Sequence, residues 1–429
     1  MNTGLTEFWG VGIAAILLGV AALTAMVHKE LGPFAGLEPP GKWMLTAALG
    51  MGLFAFGLKM AVALAISESP QNTVVPLAAN NLAPTAANRD GTAEFTNPAP
   101  SRPLRHIWET LPEQVPVPAD NPMTPAKVAL GKRLFYETRL SGNGTLSCSS
   151  CHDLYNRAGG DGRPTAEGIR GQIGPRNAPT VWNAAFQSVL FWDGRAPSLE
   201  AQAKGPILNP IEMGMGSPAE AVGRLSRDQS YRTDFAKAFG GDGTITFDRI
   251  AQAIATFERT LVTADSPYDR FVRGDASALS PPQLRGMALF ESVGCILCHR
   301  GPNFSDASLV GGENPLRFFP ANPTPYEDKY KLLGEDGKRG IWRIPSLRNV
   351  ALTGPWFHNG SVDTLEEAVR VMAGAQLGRS GRFMTWLDQD KSLARGDHSP
   401  LSDRDIGDIV AFLESLSSDS LRARRKQGR

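Results

Sequence analysis

The chain of 429 residues is long enough for two or three domains, and its 44 Lys and Arg nearly balance its 43 Asp and Glu, for a formal net charge of +1. That balance gives no basis for a nucleic-acid or other polyanionic partner. All 4 cysteines fall in two short motifs, so none is left for a structural disulfide.

In chain order, residues 8–27 form an uncharged apolar run and residues 43–66 a second one broken only by Lys59. Each is long enough to span a bilayer, which takes ~20 residues. Met1 to Glu7 contains no Lys or Arg, unlike the basic start of a cleaved signal peptide, which predicts a retained transmembrane hairpin over residues 1–66. Lys29 and Lys42 lie in the connection, and the next basic residue after the second run is Arg89. The positive-inside rule then puts the connection in the cytoplasm and the rest of the chain in the periplasm of a bacterial inner membrane. Lys59 is close enough to the outer helix end to snorkel to water. Residues 67–100, rich in Pro, Ala, Asn and Thr without periodicity, read as a linker.

An internal repeat follows. Gly131-Lys-Arg-Leu134-Phe135 precedes Cys148-Ser-Ser-Cys151-His152, and Gly286-Met-Ala-Leu289-Phe290 precedes Cys295-Ile-Leu-Cys298-His299. Pro179, Asn183, Phe191, Gly194 and Leu199 recur 166 residues later as Pro345, Asn349, Phe357, Gly360 and Leu365. Ile254, Phe257 and Leu261 recur as Ile409, Phe412 and Leu416, with the i, i+3, i+7 spacing of one helix face. The fold expected is mainly α: two tandem cytochrome c-like haem domains, residues 101–263 and 264–418, after the hairpin, with residues 419–429 a solvated basic tail.

A Cys-x-x-Cys-His segment places two thiols for thioethers to the haem vinyl groups and the adjacent histidine on the iron. A tetracysteine zinc site is the alternative, but it leaves unexplained a histidine after both pairs and one copy in each half of the repeat. The sixth iron position decides function. Met372, fourteen residues after His358 in the expected helix from Leu365, is either a core methionine or the second haem's sixth ligand. The repeat offset carries Met372 onto Pro206, which has no side-chain donor, and no histidine lies between His152 and His299. His106 could reach back, although a single histidine in a polar segment is more often unliganded. The first iron is therefore expected to be open.

From about Lys127 to Leu416 the chain resembles the bacterial dihaem cytochrome c peroxidases and their relatives, which include dihaem enzymes that oxidise protein side chains. The resemblance rests on Gly174-Pro-Arg-Asn177-Ala-Pro-Thr, Phe191-Trp-Asp-Gly-Arg195, Gln202-Ala-Lys-Gly-Pro206 and Pro355-Trp-Phe-His-Asn-Gly360. It implies that hydrogen peroxide is reduced at the first haem and that the second, with Met372 and beside His358, takes electrons from a donor. It also implies Trp192 as a relay between the haems, Glu212 as acid/base and Gln202 as the residue orienting the oxidant. Without it, Glu212 reads as a surface carboxylate and Trp192 as an interface aromatic. A calcium ion between the domains, held by Asn177, Thr353 and Pro355, is implied as well; otherwise Asn177 is a turn residue.

Two departures stand out. Family peroxidases often carry a histidine that blocks the peroxidatic iron, where this chain reads Glu167-Gly-Ile-Arg-Gly-Gln-Ile173. An extra stretch also runs from about Arg379 to Pro400. Three functions are weighed: a membrane-anchored peroxidase fed by a small cytochrome c, a cupredoxin or a quinol; an enzyme oxidising a partner protein's side chain; and a non-catalytic electron carrier.

Overall fold

The computed structural model describes residues 107–321, 324–334, 337, 339–376 and 401–427. The hairpin, the linker, His106 and the 379–400 stretch lie outside them. Among the described residues no helix is long and apolar enough to cross a membrane.

Helix starts are written in the sequence as a hydroxyl or carboxylate cap, often followed by proline. Thr124 caps α1 (Pro125–Phe135), Ser198 α2 (Leu199–Leu208), Ser217 α3 (Pro218–Ser226), Asp228 α4 (Gln229–Phe239) and Thr246 α5 (Phe247–Glu258). Capping boxes start α6 (Pro267–Val272) at Ser266 and α7 (Pro281–Ser292) at Ser280. A two-stranded antiparallel hairpin follows, β1 (Leu316–Phe319) against β2 (Gly340–Arg343), with Phe318 opposite Ile341. The described chain ends with α8 (Leu365–Gln376), α9 (Asp403–Ser415, boxed by Ser402) and α10 (Asp419–Gln427).

The two halves repeat one frame. Gly131 of α1 faces α5 where an added Cβ would sit 1.9 Å from the Ala253 carbonyl oxygen; Gly286 of α7 faces α9, where it would sit 1.8 Å from that of Asp408. Glycine is required at both crossings because any side chain would push the helices apart. Above each crossing an aromatic pair meets edge to face, Phe135 on Phe257 at 5.3 Å and Phe290 on Phe412 at 5.4 Å. The loops match residue for residue: Asn183 and Asn349 both take φ 62°, and Phe191 and Phe357 take φ 63° and 70°.

Of the expected solvated tail, residues Asp419–Gln427 are described and form a helix instead. Leu421 is buried, the Arg425 guanidinium donates to the Leu352 carbonyl at 3.0 Å, and Arg424 stacks over the Tyr155 ring at 4.7 Å. One buried leucine and two stacking or donating arginines hold this segment as a docked helix despite its charge. At the boundary between the halves, Asp265-Ser-Pro-Tyr268 forms the capped start of α6, fixed by the buried Arg348–Asp269 ion pair at 2.7 Å.

The halves meet at a shared hydroxyl. Asn183 and Asn349, both fully buried, each donate through Nδ2 to the Thr263 Oγ1 at 2.9 Å. Thr263→Val keeps the shape and removes the acceptor, leaving two buried amide donors unpaired at about 1–3 kcal/mol each. The fully loaded variant is expected to lose stability of that order in a urea unfolding series, against a change within error if water replaces the hydroxyl.

Candidate functional site

Both Cys-x-x-Cys-His turns open onto one cavity of about 760 Å³. Cys148–Cys151 is a single helical turn capped by Ser147, and Cys295–Leu297 is a tighter 3-10 turn. In each, the histidine N–H donates to the first cysteine's carbonyl at 2.9 Å, so the backbone folds the histidine back over its pair.

The imidazoles are oriented the same way. His152 Nδ1 lies 2.9 Å from the Gly159 carbonyl oxygen and His299 Nδ1 lies 3.2 Å from that of Phe304. A carbonyl only accepts, so Nδ1 must carry the proton and Nε2 keeps the lone pair that could bind a metal. Burial lowers both imidazoles, His299 to about 4, which keeps them neutral at physiological pH.

The zinc alternative finds no common centre. The cysteine pairs stand in different halves, and among the described residues no group of three or more His, Cys, Asp or Glu converges to hold a metal ion. A large amphipathic cofactor suits the cavity better, because its walls carry buried polar atoms with no partner, Glu258 Oε2 and Trp342 Nε1. Haem, attached at the thiols and ligated through Nε2, fits these residues.

The repeat breaks where ligation is decided. α2 and α8 begin at the matched residues Leu199 and Leu365, so Pro206 and Met372 occupy equivalent positions, and both line the cavity. Met372 also packs against the buried cluster of Phe319, Leu332, Val371 and Ala375, so it belongs to the core as well as to the cavity lining.

On the first side, Gln202 and Glu212 line the same cavity. The Ile169 N–H donates to the Glu212 carbonyl at 2.7 Å, and a Cβ on Gly168 would meet the Ile211 carbonyl oxygen at 1.9 Å. The 167–173 loop therefore supports Glu212 through its backbone. Burial raises the Glu212 carboxyl above the ordinary glutamate range, opposed by the Asn209 amide, which donates to Oε1 at 2.7 Å, and by the Arg195 charge.

Between the motifs, matched residues exchange backbone bonds. The Asn177 N–H donates to the His358 carbonyl at 2.9 Å and the Arg343 N–H to the Trp192 carbonyl at 2.6 Å. Trp192 Nε1 donates to the Asn177 carbonyl at 2.9 Å, and its ring meets His358 edge-on at 6.5 Å. Trp342 stacks flat on His358 at 4.1 Å, with the Arg176 guanidinium 4.9 Å over the indole. Burial, helped by Arg176, pushes His358 down to about 4. Asn177, Thr353 and Pro355 all line the cavity, and Asn177 Nδ2 donates to the Arg163 carbonyl at 2.8 Å.

Sequence reading missed Trp342, Arg343 and Glu258. The repeat holds a signal for each: Trp342 and Arg343 align with Arg176 and Asn177, and Glu258 with Leu413, so each marks a point where the halves differ in polarity or charge.

The fold and the cavity together define a two-haem protein of the cytochrome c type. The family profile described as di-haem cytochrome c peroxidase matches residues 125–277. The chain is 39% identical over 309 residues to the cytochrome c551 peroxidase of Nitrosomonas europaea, a match covering 71% of this chain and 84% of that protein. It is 39% identical over 306 residues to the cytochrome c peroxidase Ccp of Escherichia coli, covering 70% of this chain but only 60% of the longer relative. Among solved structures, a MauG-like protein associated with microbial copper homeostasis matches with TM-score 0.58 at 36% identity, covering 72% of this chain and 95% of that one. The chain belongs to the dihaem cytochrome c peroxidase family, oxidoreductases of the peroxidase type that carry two c-type haems.

Proposed function

We propose that this chain is a dihaem peroxidase that reduces hydrogen peroxide to water, anchored in a bacterial inner membrane by residues 8–27 and 43–66 with its haem domains, residues 101–263 and 264–418, in the periplasm. The observation that carries this reading is the Pro206/Met372 asymmetry: equivalent positions lining one cavity, one with a thioether and one with no donor.

Bound haem would supply two redox-active irons, one of them able to take the oxidant. Cys148 and Cys151 would attach the first through thioethers and His152 would ligate it; Cys295, Cys298 and His299 would do the same for the second, with Met372 as a further ligand. Two electrons and two protons convert each peroxide to two waters. Glu212 takes the proton from one peroxide oxygen and delivers it to the other as the O–O bond breaks, so that the departing oxygen leaves as water. Gln202 holds the peroxide in line with that carboxylate. Trp192, bonded to Asn177 and edge-on to His358, bridges the two motifs as a relay. A calcium ion held by Asn177, Thr353 and Pro355 would fix the two halves at that spacing. The electrons come from a small periplasmic cytochrome c or cupredoxin, or from quinol given the hairpin.

A second reading, oxidation of a side chain on a partner protein, is favoured by one feature. The 167–173 loop beside Glu212 holds no histidine that could block the first iron. Turnover separates the two: brisk peroxide consumption with reduced cytochrome c or cupredoxin supports the peroxidase, and negligible consumption despite an open iron moves the assignment to protein oxidation.

Two consequences are measurable. The EPR spectrum of the oxidised protein is expected to show one high-spin and one low-spin ferric haem, and Met372→Ala to convert the low-spin signal and lower that haem's reduction potential; an unchanged low-spin signal would place the sixth ligand elsewhere. Glu212 acts as a base only when ionised, and its raised pKa means activity falls, as pH drops, at a pH above the ordinary glutamate range. Glu212→Gln should lose that acid limb together with about 10²–10⁴-fold of kcat. An acid limb that survives in the variant assigns the proton to another group.

A further inference from the structure

Arg343 closes β2 and is only 6% exposed. Its Nε donates to the Phe191 carbonyl at 2.9 Å and its Nη1 to Gln187 Oε1 at 3.0 Å. Both acceptors are neutral, and no carboxylate among the described residues pairs with this guanidinium. The other deeply buried arginines differ. Arg348 pairs with Asp269 and Arg259 with Glu200, each at 2.7 Å.

Burial lowers the Arg343 guanidinium to about 10, so it is still a cation at neutral pH. A desolvated cation held only by neutral dipoles is a costly arrangement, and a chain retains one where a counter-charge arrives from outside the sequence. Arg343 lines the cavity between the two Cys-x-x-Cys-His turns. Trp342 Nε1, on the opposite face of β2, is another buried donor of the cavity lining with no acceptor. The cofactor of this family brings carboxylates with it, since each haem carries two propionates. The haem concerned is set by the chain: Pro345, two residues on, presents its carbonyl to the His299 imidazole.

We infer that Arg343 is the receptor for a propionate of the haem attached at Cys295 and Cys298. The pair would neutralise the guanidinium, and because Arg343 also holds Phe191 and Gln187 of the first half, it would tie the second haem's edge to the opposite half of the molecule. A planar fork suits this task, since it can bind a carboxylate with one edge while its other N–H groups hold the protein. The repeat puts Asn177 at the matched position, so this anchor belongs to one haem only.

The inference rests on the presence of two haems and not on the substrate, so it is tested by equilibrium potentials rather than turnover. The haem-loaded full chain and its Arg343→Gln and Arg343→Lys variants would be titrated spectroelectrochemically, with haem content measured in parallel. In Arg343→Gln the unpaired propionate stabilises the ferric state, and the reduction equilibrium of the His299 haem should fall about tenfold, which is 59 mV for one electron. Arg343→Lys, which keeps the charge and loses the fork, should fall by less. Two attached haems with both potentials unmoved in Arg343→Gln, as expected if a small solvent anion meets the guanidinium, overturn the inference, and so does a shift confined to the other haem. Should Arg343→Gln not accumulate, resonance Raman carries the test on Arg343→Lys: the propionate bending band of the His299 haem shifts if the fork is bound to it, and an unchanged band overturns it.

Discussion

Everything in this protein hangs on two helix crossings that tolerate no side chain. At Gly131 and Gly286 the facing carbonyl lies where a Cβ would be, so each pair of helices closes to backbone contact. That closeness stacks Phe135 on Phe257 and Phe290 on Phe412 and sets each crossing beside its Cys-x-x-Cys-His turn. The chain does not fill the space between the turns. It builds a cavity instead, lined from both halves, and the walls contain polar atoms that make sense only with a cofactor in place.

On this duplicated frame, function comes from the positions where the copies disagree. The frame itself is conserved between the halves down to backbone sign, with left-handed residues at Asn183 and Asn349 and at Phe191 and Phe357. Several differences fall on the cavity: Pro206 against Met372, Trp192 against His358, Asn177 against Arg343, Glu258 against Leu413. Each swap alters ligation, redox character, charge or polarity; Pro206 and Met372 sit on matched helices and Trp192 and His358 on matched loops, whereas Asn177 lies in a loop and Arg343 in a strand. Duplication supplied two equivalent sockets, and a few substitutions on their inner walls make them unequal.

Much of this was legible in the sequence because the repeat is a strict register. Cys-x-x-Cys-His names its own chemistry, and one offset carries Met372 onto Pro206 without any structure. The glycine crossings and the Ile254–Phe257 and Ile409–Phe412 faces were also readable, since periodicity and the absence of a side chain are local properties. What stayed hidden depends on burial. Arg343 looks like any strand arginine until it is found without a counter-charge, and Glu212 looks like a surface carboxylate until a loop with a bare glycine closes over its backbone. The tail misled for the opposite reason: its charge density outweighed Leu421 in the sequence, whereas in the fold that single leucine is buried.

The asymmetry also gives the molecule a direction. A histidine–methionine pair favours the ferrous state, so under the proposed function a haem held by His299 and Met372 would collect electrons readily, whereas Pro206, at the position matched to Met372, offers the other haem no donor. The wall residues act in the same sense. A cationic Arg343 on the collecting side opposes the positive charge of an oxidised iron, and on the other side a buried glutamate, Glu258, is pushed up to about 8 and so is mostly uncharged at neutral pH. Between them the Trp192–His358–Trp342 cluster is aromatic, and burial keeps its histidine neutral. A path lined with neutral rings changes little in solvation when an electron crosses it. Under the proposed function this cluster would conduct, with Arg343 helping to set the potential at its collecting end.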